Sequence, residues 1–336
     1  VQELPHAFGE PPLAARLRAS PEDFLVEEIL GHDADGAGEH LLLWVEKRGA
    51  NTDWVARELA KFAGVPPVAV GYAGLKDRHA VTRQTFSVQL AGRPGPDWST
   101  FPHAEVKVLA ATRHSRKLKR GALRGNRFVL VLREVSGDRA RAESVLQQIA
   151  ARGVPNYYGE QRFGREGGNV AQARAMFGGR RVDRDKRSLL LSAARSHIFN
   201  GVLAARVERD AWDRPLAGEI WSLAGSRSWF GPEPFNDELA ARLARADIHP
   251  SGPLWGQGEP PSRDEAGALE REVAAANGDL VAGLVAARMD QERRPLRLLP
   301  QNLHWRWQDH EALELSFELP AGAYATVVVR ELASTP

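Results

Sequence analysis

Cysteine is absent from this chain of 336 residues, which removes disulfides, thiolate nucleophiles and every cysteine-based zinc or iron–sulfur site. Metal binding would fall to histidines and carboxylates. The ten histidines are scattered, and no pair stands four residues apart beside a glutamate, the pattern that places two ligands on one helix face. No metal site is expected. No apolar run is long enough to span a bilayer, and no charged-then-apolar leader stands at Val1, so membrane insertion and secretion both lack a signal and the cytoplasm is the default expectation. Excess charge is missing as well, because 45 Lys and Arg stand against 43 Asp and Glu for a net +2. The total says little about partners. There is no internal repeat, no low-complexity tract and no glycine-rich loop for a nucleotide cofactor.

What is present is a hydrophobic share of 43%, enough for packed cores in one large or two ordinary domains, and an uneven placing of charge. From Arg113 to Arg127 there are seven Lys or Arg and no acid. Arg116, Lys117, Lys119 and Arg120 form its centre. Such a run suits a phosphate backbone, and it also suits a plain solvated face. The stretch Gly71 to Phe86 sets Asp77 among Lys76, Arg78 and His79 between two strand-like runs. Val68 to Ala73 is short and apolar, and beyond the charges Phe86, Val88 and Leu90 alternate with Ser87 and Gln89. The neighbouring cations favour an ionised Asp77, suited to act as a nucleophile rather than a general acid. The same residues would also make an ordinary charged hairpin tip.

The pattern divides the chain into an outer and an inserted part. Strands are expected at Phe24 to Ile29, His40 to Lys47, Val68 to Ala73, Thr85 to Leu90, Glu105 to Ala110 and Arg127 to Val135. A helix is expected from Asp53 to Phe62, capped by Asn51 or Thr52 and stopped at Gly64, and another from Asp138 to Arg152, stopped by Gly153 and Pro155. Beyond Gly153 the text turns helical, at Leu189 to Val207, Asp237 to Arg245 and Glu265 to Arg288, with Pro- and Gly-rich connections at Gly231 to Pro234 and Pro250 to Pro261. Alternation returns at Leu313, Leu315, Phe317 and Leu319. A strand-rich start and end around a helical middle suggest a module inserted into another domain's loop.

Six segments in order resemble the TruD-type tRNA pseudouridine synthases: Ser20 to Glu28, Ala73 to Gln84, Gly125 to Phe128, Val154 to Gly164, Lys186 to Ser196 and Leu319 to Leu332. Together they cover nearly the whole chain. The resemblance implies an α+β fold: a catalytic domain on a mixed, largely antiparallel sheet formed by residues 1–153 and 300–336, and a mostly helical insertion over 154–299. It implies isomerisation of a uridine already in tRNA, at position 13 of the D arm, without cofactor. The N1–C1′ bond breaks, the base turns, and a C5–C1′ bond forms. The expected partner is tRNA, with no membrane, no obligatory protein partner and a monomeric chain.

Residue by residue, the resemblance places Asp77 at the family's catalytic aspartate, with a covalent and a glycal route both open. Phe24, Asn126 and Tyr324 become substrate contacts, since a target base must leave its stack and be gripped by aromatic faces and polar edges. On local grounds Phe24 would read as a core aromatic and Asn126 as a turn residue. Tyr324 departs from the family's Phe and adds a hydroxyl. Phe128 falls where other pseudouridine synthases have an active-site Tyr. Arg18 falls on a basic partner for the aspartate, where its planar fork can hold a carboxylate through two hydrogen bonds. Arg162, Lys186, Arg187 and Arg195 are open between phosphate contacts and structural ion pairs. Two rivals stand beside this reading: a catalytically silent RNA-binding or RNA-chaperone protein on the same fold, and a glycosidase, which would need a second carboxylate opposite Asp77.

Overall fold

A computed structural model describes residues 3–335, the side chain of Arg165 excepted. The chain forms two compact units. One comprises Leu13–Arg139, Pro300–Gly322 and the segment from Ala333; the other comprises the segment up to Pro12, Ala140–Leu299 and Ala323–Leu332.

The first unit is built on a ten-stranded sheet. Its strands in chain order begin with β1 (Leu13–Arg16), β2 (Phe24–Leu30), β3 (His40–Arg48), β4 (Val70–Tyr72), β5 (Val81–Gln89), β6 (Val106–His114) and β7 (Leu123–Gly137). Later chain adds Gln301–Trp307, Leu313–Pro320 and Ala333–Ser334. The main path runs Gln301–Trp307, Leu313–Pro320, β7, β2, β5, β3, β6. Neighbours are antiparallel except β2 with β5 and β1 with Ala333–Ser334. The sheet is therefore mixed and largely antiparallel, in the α+β class.

Period-two alternation decides which face each strand buries. Leu43, Val45, Phe86 and Val88 pack with Val55, Leu59 and Ala60 of helix α1 (Thr52–Phe62). Asn51 stands at the N-cap of α1 in extended geometry, and Gly64 beyond its end takes φ +63, as the sequence signals predict. The apolar start of the strand expected from Val68 is instead a short 3-10 turn over Pro67–Ala69, because Pro66 and Pro67 supply no main-chain donors.

The second unit is organised around the long helix Arg184–Glu208. The Asp183 side chain accepts from the Lys186 amide to cap it, satisfying a donor that the helix itself cannot. Leu190, Leu191, Ala194 and Ile198 on this helix pack with Ala173 and Met176 of Gly168–Phe177 and with Leu280 and Leu284 of Gly278–Ala286. The single helix expected over Glu265 to Arg288 is two, Asp264–Ala276 and Gly278–Ala286, broken at Asn277. This unit also carries an antiparallel four-stranded sheet, in the order Trp229–Phe230, Trp221–Leu223, Ile248–Leu254, Glu292–Pro295. In the sequence Pro250 marks the longest of these strands as a connection, but the Pro250 carbonyl accepts from the Leu296 amide and needs no donor of its own. Among the described residues no helix is long and apolar enough to cross a membrane.

Candidate active site

Asp77 lies on the loop from β4 to β5. That loop leaves the sheet where one edge of β5 passes from pairing with β4 at Phe86–Val88 to pairing with β2 at Val81–Arg83. Its main chain is held from several directions. Gln84 Nε2 donates to the Gly74 carbonyl (3.2 Å), the Lys76 amide donates to Thr52 Oγ1 (3.0 Å), and Thr52 Oγ1 donates in turn to Gln84 Oε1 (3.0 Å). The Lys76 ammonium turns inward and meets Glu28 Oε2 at 2.7 Å, with both side chains almost wholly buried. Glu28 Oε1 also accepts from the Thr85 amide (3.1 Å). Lys76 is therefore committed to Glu28, and the charge beside Asp77 in sequence is not its contact in space.

That contact is Arg18, whose Nη2 stands 2.9 Å from Asp77 Oδ2. Asp77 Oδ1 accepts from the His79 amide at 2.9 Å. The guanidinium engages one carboxylate oxygen and a main-chain N–H takes the other, in place of the two-bond fork expected of Arg. Both oxygens are oriented while the side chain stays about 23% accessible, so the carboxylate is fixed yet reachable. Arg18 has φ +62, a left-handed conformation that costs a non-glycine residue of order 1 kcal/mol and persists only where surroundings over-determine it. Its guanidinium carbon lies 4.2 Å from the Phe24 ring centroid, and its Nε is buried with no hydrogen-bond partner among the described residues. The turn leading to Phe24 is set by Ser20 and Asp23, with the Ser20 amide donating to Asp23 Oδ2 (3.0 Å) and Arg133 donating twice to Asp23 Oδ1 (2.9 and 2.8 Å).

Register places the other candidates. Phe24, Val26 and Glu28 of β2 stand opposite Leu130, Phe128 and Asn126 of β7, and paired residues share a face. Phe24 and Phe128 meet edge to face at 6.4 Å, and Phe128 packs on Phe317 at 5.7 Å. Phe24 is 4% exposed, so it is a core aromatic with its face under Arg18. Asn126 follows Gly125, where a Cβ would meet the Leu319 carbonyl oxygen at 2.3 Å; only glycine lets β7 approach that strand so closely. Asn126 is a strand residue, not a turn residue, and its Oδ1 is buried without a partner among the described residues. A buried unpaired acceptor costs about 1–3 kcal/mol and is suited to an N–H from an incoming base edge.

The basic loop joins β6 to β7, and Arg116, Lys117, Lys119 and Arg120 are all exposed. It is docked on β4. The Gly121 amide donates to the Ala73 carbonyl (2.7 Å), the Leu118 amide donates to Ser87 Oγ (2.9 Å), and Gly71 admits the Leu118 carbonyl where a Cβ would lie 2.5 Å from it. Lys117 Nζ donates to the Val68 carbonyl, while Arg120 donates to the Tyr72 hydroxyl, lies 4.0 Å over its ring and stands 3.6 Å from Asp53. Two of the four cations thus help to hold the loop.

Tyr324 belongs to the second unit. Its hydroxyl accepts from Arg162 Nη2 (2.9 Å), and its ring meets Tyr158 at 6.4 Å. The hydroxyl that distinguishes it from Phe therefore has a local partner. Arg162 Nη1 donates to Ser192 Oγ (2.7 Å), and the Arg162 and Arg294 guanidinium carbons lie 5.1 and 4.1 Å from the Tyr158 ring. Arg195 donates to the Leu254 and Asp290 carbonyls and pairs with Glu292 at 3.0 Å. Lys186 and Arg187 are exposed, and Arg187 joins Arg184, Ser192 and Tyr158 around a cavity of about 420 Å³.

Several residues around Asp77 escape a sequence reading: Glu28, Thr52, Gln84 and above all Lys47. Lys47 is fully buried and donates to the main-chain carbonyls of Ala50 (2.8 Å), Asp77 (3.2 Å) and Lys76 (3.5 Å). A signal for it exists, since Leu43, Val45 and Lys47 share one parity of β3 and the first two are core residues. Chemically, the arrangement offers an oriented carboxylate on the loop entering β5, with the packed Phe24–Phe128 pair and the unpaired Asn126 amide oxygen on the central strands β2 and β7.

The model of the family tRNA pseudouridine synthase D (TruD) matches residues 4–172 and 172–332. The chain is 55% identical over 344 residues to a tRNA pseudouridine synthase D of Xanthomonas campestris pv. campestris (strain 8004), covering 98% of this chain and 94% of that relative. It is 48% identical over 332 residues to one of Methylococcus capsulatus, with the same coverage. The crystal structure of a protein assigned as tRNA pseudouridine synthase D from Methanosarcina mazei superposes with a TM-score of 0.74 over 97% of this chain and 95% of that one, at 20% identity, and shares the fold. The chain belongs to the TruD family of tRNA pseudouridine synthases.

Proposed function

We propose that this chain isomerises a uridine within tRNA to pseudouridine, with Asp77 as the reacting carboxylate and no cofactor, and that the target is position 13 of the D arm. The carrying observation is the fixed Asp77: Oδ2 on Arg18, Oδ1 on the His79 amide, and Phe24 beneath the same guanidinium. A nucleophile needs direction as well as charge, and here both oxygens have it. Asn126 Oδ1 supplies a base-edge acceptor, and Phe24 and Phe128 form the apolar wall of that face. Bond accounting needs nothing else: the N1–C1′ bond breaks, C5–C1′ forms, the C5 proton leaves and N1 gains one. The family membership and the closeness of relatives bearing that name support the substrate. Residues 154–299 serve in this reading as the family's inserted module.

The test is conversion of uridine in an unmodified tRNA transcript, with the product mapped to its position. Asp77→Asn keeps size and loses the nucleophile, so the rate should fall by at least ~10³-fold while tRNA binding persists. Equal conversion by wild type and Asp77→Asn would overturn the assignment. Binding without conversion by the wild-type chain would favour the silent RNA-binding reading, and release of free uracil would favour hydrolysis.

A further inference from the structure

Lys47 stands where a lysine is costly. Its side chain is wholly buried in the face of the sheet below the Asp77 loop. Its contacts are main-chain carbonyls: Ala50, immediately before the α1 cap, and Lys76 and Asp77 on the loop. An ammonium carries three donors and no acceptor, so these three carbonyls take its whole capacity. One side chain ties the start of α1 to the residue whose carboxylate Arg18 holds. A site that required only packing would be filled at lower cost by an apolar residue of similar volume.

We propose that Lys47 is a positioning residue for the reaction at Asp77: its ammonium fixes the main chain of Asp77 and so the direction from which the carboxylate meets the substrate. The inference rests on the reading of Asp77 as the reacting group. Two charged groups act on the ammonium, Asp77 in its favour and Lys76 against it; Lys76 is itself paired with Glu28 and Asp77 with Arg18.

The proposal has a signature that packing alone does not. Burial lowers Lys47 from 10.5 to about 8, with Asp77 raising it and Lys76 lowering it further. Between those two values the unfolded chain binds more protons than the folded one, so this group makes the protein more stable as pH rises. Over the same window the folded protein loses the third donor that the loop carbonyls use. Positioning therefore predicts a falling rate without falling stability.

The experiment is single-turnover conversion of unmodified tRNA with enzyme in excess, between about pH 6.5 and about pH 10, with tRNA binding and urea unfolding measured alongside. Wild type should lose rate with a midpoint near 8 while its binding constant holds. Lys47→Met should be slower by ~10²-fold, the scale set by a small misplacement of a reacting group, and flat across that limb, with binding intact. Lys47→Arg keeps its charge throughout, so its rate should not fall near pH 8. If Lys47→Met does not fold, the wild-type and Lys47→Arg profiles carry the test. A limb that persists at the same midpoint in Lys47→Arg, or a folded Lys47→Met with wild-type rate, overturns the proposal. An active Asp77→Asn would instead overturn the reading beneath it, whereas an inactive Asp77→Asn beside a normal Lys47→Met would sink this inference alone.

Discussion

Two loops of the sheet-based unit, one carrying Asp77 and one carrying Arg116 to Arg120, are joined by a hydrogen bond from Gly121 to Ala73 and are built on opposite principles. In the first, Arg78 stays exposed but the other charges are tied down: Lys76 to buried Glu28 and Asp77 to Arg18, with Lys47 of β3 holding the loop's carbonyls from below. In the second, charge is turned outward and only the main chain and two of four cations serve the fold. On the proposed function, the difference follows from what each loop would do. A reacting group must hold one direction, which requires buried, mutually satisfied polar groups. A phosphate contact acts through charge, tolerates motion and works through water and salt.

The largest separation between the loops should appear in stability. Glu28→Gln leaves the Lys76 ammonium buried without its carboxylate, and removing one partner of a buried pair costs roughly 3–5 kcal/mol. Urea unfolding should show that loss, whereas neutralising exposed Lys119 should move the midpoint little. A Glu28→Gln chain as stable as wild type would mean that the Asp77 loop is not built on buried charge.

Arg18→Ala comes next. It frees Asp77 Oδ2 and uncovers Phe24, so the single-turnover rate should fall by ~10²-fold with tRNA affinity changed only a few-fold. Arg18→Lys restores charge without the planar cation over the Phe24 ring and should recover part of the rate. A loss expressed wholly in binding would move Arg18 to the side of the basic loop.

How far the sequence carries this comparison depends on the range of each interaction. Period-two alternation locates β5 and Leu313–Pro320, runs rich in strand-forming residues locate β2, β3 and β7, and cap and stop residues locate α1, because these signals are local. Strands β1 and Ala333–Ser334 are too short to show a period and exist by pairing with each other, with β1 also pairing with β7. Gln301–Trp307 is polar at alternate positions and gains order from Leu313–Pro320. Within the site, Asp77 is visible locally as an acid among cations. Its partner Arg18, 59 positions away in the chain, comes only through family resemblance, since no local pattern encodes that pairing. Lys47 is hidden for a different reason: in a strand ending Glu46-Lys47-Arg48 it reads as a charged end, and only its parity with Leu43 and Val45 marks it as inward.

The smallest effect should come from the basic loop, and it separates the roles of its own cations. Lys117 and Arg120 are tied to Val68, Tyr72 and Asp53, so replacing them mixes binding with loop structure. Arg116 and Lys119 are exposed and are the cleaner probes. Arg116→Gln with Lys119→Gln should weaken tRNA binding, reduce the slope of log affinity against log salt by about 1 for each phosphate no longer neutralised, and leave the saturated single-turnover rate within about twofold. Arg120→Gln should add a loss of thermal stability, because the guanidinium also covers the Tyr72 ring. An unchanged affinity and salt slope in the double variant would make this loop a solvated face. A fall in the saturated rate would instead show that the charge of this loop reaches the reacting centre through the Gly121–Ala73 junction, and the division between an orienting loop and a binding loop would not hold.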